Sequence, residues 1–500
     1  MTQLGAHLPV LQVVVPMLLA PVVVLLRPRG LAWATATVGS LMSLAIAAAL
    51  TAGVLAGEEF RYAVGGWAPP YGIELRVDAL SALVLLLITG ASSLALLAGR
   101  SSLVGMIVSA RHPLVFAAWL LVVAGLAGIA VSAAAFNFFV FMEISSLASY
   151  VIVAGGPDRR ALPAVFKYLM MGTIGATFYL IGVGLIYMMT GTLNLADMEL
   201  RIHDVADQRP VLVAAGFITV GLALKAAVFP LHVWLPNAYT YAPHAVSVFL
   251  AACATKVSLY VLLRFDFFVF QQNLAGHDQQ FAAYLMPLAV LAILFGSAVA
   301  MYESNVKRIF GYSSVAQIGY ILLGASLVSI DGLSASLLHM FNHALAKGAL
   351  FLAVMALALR HRRLDLRSLA GAARRMPWTM SALVVAGLSL IGVPGTAGFI
   401  SKWYLVTAAL DEGPLGIGLI AVVVAGSLMA LVYIWRIVEA AWFTEPEAGQ
   451  NSVETAGEAP LTVLATLWLA ALANIYFGLV TGLPRSLAES SAISLLGHLP

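Results

Sequence analysis

Residues 221–236 read GLALKAAVFPLHVWLP. A lysine, Lys225, stands in an apolar run, and Pro230 follows five residues later. That proline has no N–H to offer the carbonyl of Ala226, so a helix here is interrupted beside the lysine. A broken helix inside a bilayer is tolerated where its backbone lines a polar or wet site. This stretch therefore predicts a membrane-spanning helix, broken near its middle, with an ionisable group at the break. A lysine that merely snorkels to the surface fits poorly, because apolar residues flank Lys225 on both sides.

The rest of the chain supports that environment. Of 500 residues, 62% are hydrophobic and 10% charged, and the mean hydropathy is +0.97. Soluble domains sit near 45–50% apolar and about 25% charged. That composition excludes an ordinary cytosolic enzyme and a disordered chain. A single cysteine, Cys253, excludes an intrachain disulfide and a thiolate metal set. A net charge of +3, scattered, gives no reason to expect nucleic acid.

Spanning helices need about 20 apolar residues. About fourteen candidates fit, near 8–26, 31–54, 78–99, 113–132, 135–154, 162–190, 210–231, 241–264, 283–301, 309–329, 333–359, 378–407, 415–442 and 460–482. The expected fold class is all-α, a polytopic membrane protein. The first span is not expected to be a cleaved signal peptide: no base precedes it, and Arg27 and Arg29 follow it. Counting bases by connection puts roughly 15 on the side of Arg27 and roughly 6, Arg264 among them, on the other. The richer side is expected to be cytoplasmic, in a bacterial or archaeal inner membrane, with both termini outside. Asp78 and Glu439 lie near span ends and are expected to be solvated. Segment 194–208 reads as a short surface helix and 443–459 as an acidic loop. No connection is long enough for a catalytic domain.

The bases divide unevenly. There are 20 arginines and 6 lysines. Loops take the arginines and one lysine, Lys307, while the spans take Lys167, Lys225, Lys256, Lys347 and Lys402. A buried lysine can release its proton, whereas arginine stays charged. Each ionisable group at mid-membrane costs about 3 kcal/mol or more, so several together point to function. Glu143, in FNFFVFMEISSLASY (136–150), is the clearest acid and a natural partner for one of these lysines. His339, His343 and Lys347 recur at i, i+4 and i+8, forming one stripe on a helix. A zinc site would need a third ligand and a Glu between the histidines, and Met340, Phe341 and Asn342 stand there instead. Imidazole beside amine suits proton hopping. Gly392, Pro394, Gly395 and Gly398 break the twelfth span close to Lys402.

Two interrupted spans in corresponding positions predict two inverted five-helix repeats, each with a broken helix. The expected divisions are 1–112 (N-terminal helices), 113–264 (first repeat), 283–442 (second repeat) and 443–500 (C-terminal loop and last span). Auxiliary candidates are Lys167, His232 and His244 near a proton entrance, and Ser313 and Gln317 as water-binding groups.

Five stretches carry a family likeness: 225–256, FNFFVFMEISSLASY (136–150), KRIFGYSSVAQIGYILLG (307–324), HMFNHALAKGALF (339–351) and GVPGTAGFISKWYL (392–405). They resemble the core of the antiporter-like proton-conducting membrane subunits. That family includes subunits of Mrp-type sodium/proton antiporters, of respiratory complex I and of membrane-bound hydrogenases. The likeness spans roughly 78–442 and most resembles the D-type component of the Mrp antiporter. Asn237 departs from the pattern, since relatives often carry an acid there. The resemblance implies that Glu143 pairs with Lys225, that Lys256 bridges towards the middle, that His339, His343 and Lys347 continue the line, and that Lys402 receives the proton on the far side. It implies a secondary transporter subunit rather than an enzyme, with no cofactor or metal. Implied partners are protons, Na+ and further membrane subunits, A, B, C, E, F and G-like. The alternatives are the same module in a complex I-type or hydrogenase complex, and a non-transporting structural subunit.

Overall fold

A computed structural model describes residues 5–26, 29–270, 274, 276–361, 363–445 and 457–496. The orientation bases Arg27 and Arg362, and residues 446–456 of the expected acidic loop, lie outside the described residues.

The chain opens with α1 (Leu8–Leu25) and α2 (Arg29–Leu55), then a short antiparallel hairpin, β1 (Phe60–Ala63) and β2 (Glu74–Val77). Next come α3 (Ala79–Met106), α4 (His112–Val131), α5 (Ala135–Ala154), α6 (Ala161–Thr190), the short α7 (Leu195–Ile202) and α8 (Arg209–Ala226). The short α9 (Trp234–Tyr241) and the long α10 (His244–Leu263) follow, and α10 runs on as a π-helical turn over Arg264–Phe270. The second half holds α11 (His277–Tyr302), α12 (Val306–Ala325), α13 (Ile330–Ala358), the single turn α14 (Ala372–Arg375), α15 (Pro377–Ile391), α16 (Ala397–Leu410) and α17 (Pro414–Trp442). It closes with α18 (Leu461–Leu479) and α19 (Gly482–Leu496).

Side-chain caps start several of these helices, supplying acceptors for otherwise orphaned N–H groups. Asp78 accepts from Ser81 at α3, Asn194 from Ala196 and Asp197 at α7, Asn305 from Arg308 at α12 and Ser329 from Gly332 at α13.

Among the described residues, twelve helices are long and apolar enough to cross a membrane. The two remaining expected spans have clear reasons for falling short of that measure. In α12 the apolar run is diluted by Lys307, Arg308, Ser313, Ser314 and Gln317, and the helix is sheltered between α11 and α13. The twelfth expected span is two pieces, α15 and α16, separated at Gly392–Thr396. The seventh is also two pieces, α8 and α9, but the helix ends at Ala226, earlier than the proline, where Ala227 adopts a left-handed φ of 57°.

The hairpin and α19 fall in stretches with no expected element. Strands of four residues with charges among them carry little periodic signal. Helix α19 is held by packing Leu487, Ala488, Ala492 and Leu495 against α3 and α13. At the centre, α10 and α13 lie against each other and are buried nearly all round. They carry Lys256, His339, His343 and Lys347.

Candidate functional site, a row of buried lysines

Glu143 on α5 and Lys225 in the last turn of α8 come together. The Lys225 Nζ donates to Glu143 Oε1 at 3.2 Å and to Ser146 Oγ at 3.0 Å. Two close approaches set that distance. Helix α6 lies between α5 and α8, and Gly175 of α6 faces Gly221 of α8 so closely that a Cβ on Gly221 would meet the Gly175 carbonyl oxygen at 2.5 Å. The second is the helix end itself: Trp234 of α9 donates its indole N–H to the Leu224 carbonyl at 3.0 Å, adding to a longer bond from the Ala227 N–H at 3.3 Å. Glu143 keeps 28% of its side chain exposed while Lys225 keeps 6%. A cavity of 30 Å³ adjoins the amine, lined by Ser145, Ser146, Ser149, Lys225 and Ser258 among others. That is room for about one water among several hydroxyls, on the side that faces α10.

Lys256 is 1% exposed, and its amine turns back along α10 to the Ala251 carbonyl at 2.5 Å. Lys347 of α13 reaches across to α12, donating to the Phe310 carbonyl at 2.7 Å and to the Ser313 hydroxyl in a short contact. His339 sits between two helices: Nδ1 is 2.9 Å from Ser401 Oγ of α16 and Nε2 is 2.9 Å from Gln317 Oε1 of α12. Ser313 and Gln317 thus touch the lysine and the histidine directly, a closer role than water binding. His343 lies one turn along, its ring 6.3 Å from that of His339, with neither ring nitrogen hydrogen-bonded among the described residues. Lys402 of α16 bends back over the break. Its amine donates to the carbonyls of Leu390 (3.2 Å) and Ile391 (2.9 Å), the free end of α15, and to Ser427 Oγ of α17 (2.9 Å). The Tyr320 ring lies under the same amine, 4.7 Å from its centroid.

Two expected placements need correction, those of Lys307 and of Asp78 with Arg264. Of the auxiliary candidates, Lys167 is exposed on α6. Lys307, expected in a loop, is 2% exposed, because α12 starts at Val306 and carries it inward to the Ala242 carbonyl at 2.7 Å. Asp78, expected to be solvated, and Arg264, counted among the bases of a connection, form a buried ion pair that also involves Ser81 and Tyr260. His232, an entrance candidate, is buried inside the α8–α9 break, stacked on Phe229 at 5.3 Å.

Sequence reading missed Ser146, Ser401 and Ser427, the hydroxyl partners of Lys225, His339 and Lys402. Only Ser146 left a local sign, lying three residues from Glu143 and so on its helical face.

The row alternates titratable groups with main-chain carbonyls and hydroxyls across α5, α8, α10, α13 and α16. Such a line can pass charge sideways through the bilayer without covalent chemistry, since each amine or imidazole can hold or release a proton.

Residues 132–429 match the family model described as NADH:quinone oxidoreductase/Mrp antiporter, transmembrane. The N-type membrane subunit of the NADH-quinone oxidoreductase of Desulforudis audaxviator is 41% identical over 443 residues, covering 87% of each chain. The D-type component of the Na(+)/H(+) antiporter of Bacillus subtilis is 29% identical over 435 residues, covering 87% of this chain and 85% of that one. A component of the Mrp complex from Dietzia sp., in its solved structure, superposes with a TM-score of 0.89 at 28% identity, covering 99% of this chain and 98% of that one. With a matched core that runs from the start of α5 to α17 and contains every member of the buried row, the chain belongs to the NADH:quinone oxidoreductase/Mrp antiporter transmembrane family, as an antiporter-like membrane subunit.

Proposed function

We propose that this subunit translocates protons along Glu143, Lys225, Lys256, His343, His339, Lys347 and Lys402, within a multisubunit monovalent cation (Na+)/H+ antiporter of the Mrp type. The observation that carries the reading is the Glu143–Lys225 pair at a helix break, from which a row of buried amines and imidazoles leads to a second break at Lys402. Protonation of one lysine changes the charge felt by the next, so transfer is electrostatic. The two five-helix sets, 113–264 and 283–442, act as inverted repeats, each supplying one broken helix. The base-rich face is cytoplasmic and both termini lie outside, by the count of bases in short connections. Further membrane subunits of the A, B, C, E, F and G kinds complete the complex.

Everted membrane vesicles test this. Sodium-dependent collapse of a pH gradient is expected in wild type and lost in Lys225→Ala and Glu143→Ala. Wild-type exchange in both variants would overturn transport through this chain and leave a structural subunit.

A second reading places the same row in a redox-driven complex, and the 41% identity to a NADH-quinone oxidoreductase membrane subunit supports it. Purification of the intact assembly discriminates the two. Iron–sulfur subunits in the purified complex would favour the redox reading, and small membrane subunits alone would favour the antiporter.

A further inference from the structure

The six lysines divide differently in space from their division along the chain. Lys307 is the buried one that the row above leaves unused. It lies at the inner wall of a polar chamber of 660 Å³, open on the base-rich face. The chamber is walled by the α5–α6 connection with Asp158, the α9–α10 corner with Thr240 and His244, the α11–α12 corner with Glu303, and residues 363–365. These walls are pinned to one another. Asn305 pairs with Asp365 as a β-bridge, the Val306 N–H donates to the Leu364 carbonyl at 2.8 Å, and the Leu366 N–H donates to the Ser304 carbonyl at 3.0 Å. The walls come from connections and the helix ends beside them, and the chamber sits where the two five-helix sets meet.

Three features suit this chamber to protons rather than to a larger solute. Its rim carries the carboxylates Asp158, Glu303 and Asp365, and two of them are already engaged by arginines: Asp158 by Arg160 at 2.9 Å and Glu303 by Arg308 at 2.9 Å. With Arg363 also on the lining, three carboxylates face three guanidinium groups, so apart from Lys307 the chamber carries no net charge to hold an anion. His244 presents a buried Nδ1 with no hydrogen-bond partner among the described residues. Inward, Lys307 leads into the row: Phe310, one helical turn further along α12, gives its carbonyl to Lys347 at 2.7 Å. Lys307 is also close enough to Asp158 for its charge to help hold that loop carboxyl low, after the hydrogen bond from Arg160, with burial opposing.

We infer that this chamber is the proton-uptake port of the second helix set, with His244 collecting protons inside a rim of ionised carboxylates and Lys307 passing them towards Lys347. The inference rests on the transport reading above and adds Lys307 as a proton-carrying residue. A proton held on His244 moves to Lys307 when that amine is neutral and leaves the imidazole neutral, and the Lys307 ammonium then passes it to Lys347 when that amine is neutral, so charge and protons balance at each step.

The test uses the assembled complex in everted vesicles, with proton flux driven by an imposed membrane potential and read by a pH-sensitive dye. Cys253 is buried, so a Cys253→Ala, Ser304→Cys background presents one accessible thiol on the rim. Unlabelled, it is expected to pass protons within twofold of wild type. Modified from the base-rich face with a charged, membrane-impermeant methanethiosulfonate, it is expected to lose at least tenfold. Lys307→Arg is expected to lose as much, because arginine keeps the charge but does not release the proton. Full flux in the labelled protein, or in Lys307→Arg, overturns the port. Inclusion of Lys225→Ala separates the two readings. If Lys225→Ala is inactive while Lys307→Arg runs at full rate, the port alone falls. If Lys225→Ala itself runs at full rate, transport through the row falls with it.

Discussion

Lys402 is held by the carbonyl oxygens that the break in the twelfth span sets free. Helix C-termini carry unpaired carbonyls and a partial negative charge, and an amine there is favourable. Gly392 makes this possible: its φ of 92° ends α15, and a Cβ at that position would sit 2.9 Å from Lys402 Cδ. Gly392→Ala is therefore expected to cost about 1–3 kcal/mol through backbone strain alone and to displace the amine. A thermal-shift measurement on the purified complex, beside a proton-flux assay, reads both effects; unchanged flux would mean the amine's position is not critical. Asp78, the capping residue just ahead of α3, is the second residue-scale case. Burial pushes its carboxyl up, but the Arg264 guanidinium and the Ser81 N–H outweigh burial and hold it at about 2. A carboxyl lowered in the folded state adds stability above its unfolded value of 3.8, and that stability is lost as pH falls towards 2. The pair should thus be constant across pH 5–9. Asp78→Asn leaves a buried guanidinium and is expected to cost about 3 kcal/mol at neutral pH, with the gap from wild type closing only in strong acid.

Helices α6 and α8 approach at Gly175 and Gly221, and that contact sets how far α8 stands from the helices carrying Glu143. Forced separation should act on Lys225 at a distance. Gly221→Ala is expected to destabilise by about 1–3 kcal/mol through overpacking and to slow proton flux several-fold while leaving every titratable group in place. Thermal stability and flux measured on the same preparation test it, and wild-type flux at reduced stability would show that the pair tolerates the shift. This element scale also shows what sequence could and could not reveal. The breaks at Lys225 and Lys402 were legible because proline and glycine interrupt long apolar runs, a local and strong signal. That Glu143 would pair with a lysine was legible from the cost of burying either charge alone, and the choice of Lys225 came from the family resemblance. The hydroxyl partners Ser401 and Ser427 were not, because serine is common in membrane helices and its partner lies tens of residues away. The placements of Lys167 and Lys307 have one physical reason. Hydropathy locates a residue along the membrane normal but not around the helix, and α6 turns Lys167 outward while α12 is enclosed on all sides.

Over the whole molecule the scarce positive charge follows a chemical rule. Among the described residues, arginines lie in connections or within about two turns of a helix end, or are ion-paired as Arg264 is, while the amines that enter the core are lysines. If the core merely needed positive charge to hold helices together, arginine would serve better, since its planar group makes more hydrogen bonds. The rule is explained if those sites must change protonation state. Substitution by arginine at each lysine in turn tests this for the chain as a whole. Lys225→Arg, Lys256→Arg, Lys347→Arg and Lys402→Arg are each expected to reduce potential-driven proton flux at least tenfold, with the complex still assembled on size-exclusion chromatography. Lys167→Arg, on the exposed face of α6, is expected to stay within twofold of wild type. The contrast between Lys167 and the other four separates a proton-carrying role from a general need for lysine, because the side-chain exchange is identical at every site. Flux that survives arginine at Lys256 or Lys347 would place the proton path off the α10–α13 axis, whatever the outcome at Lys225.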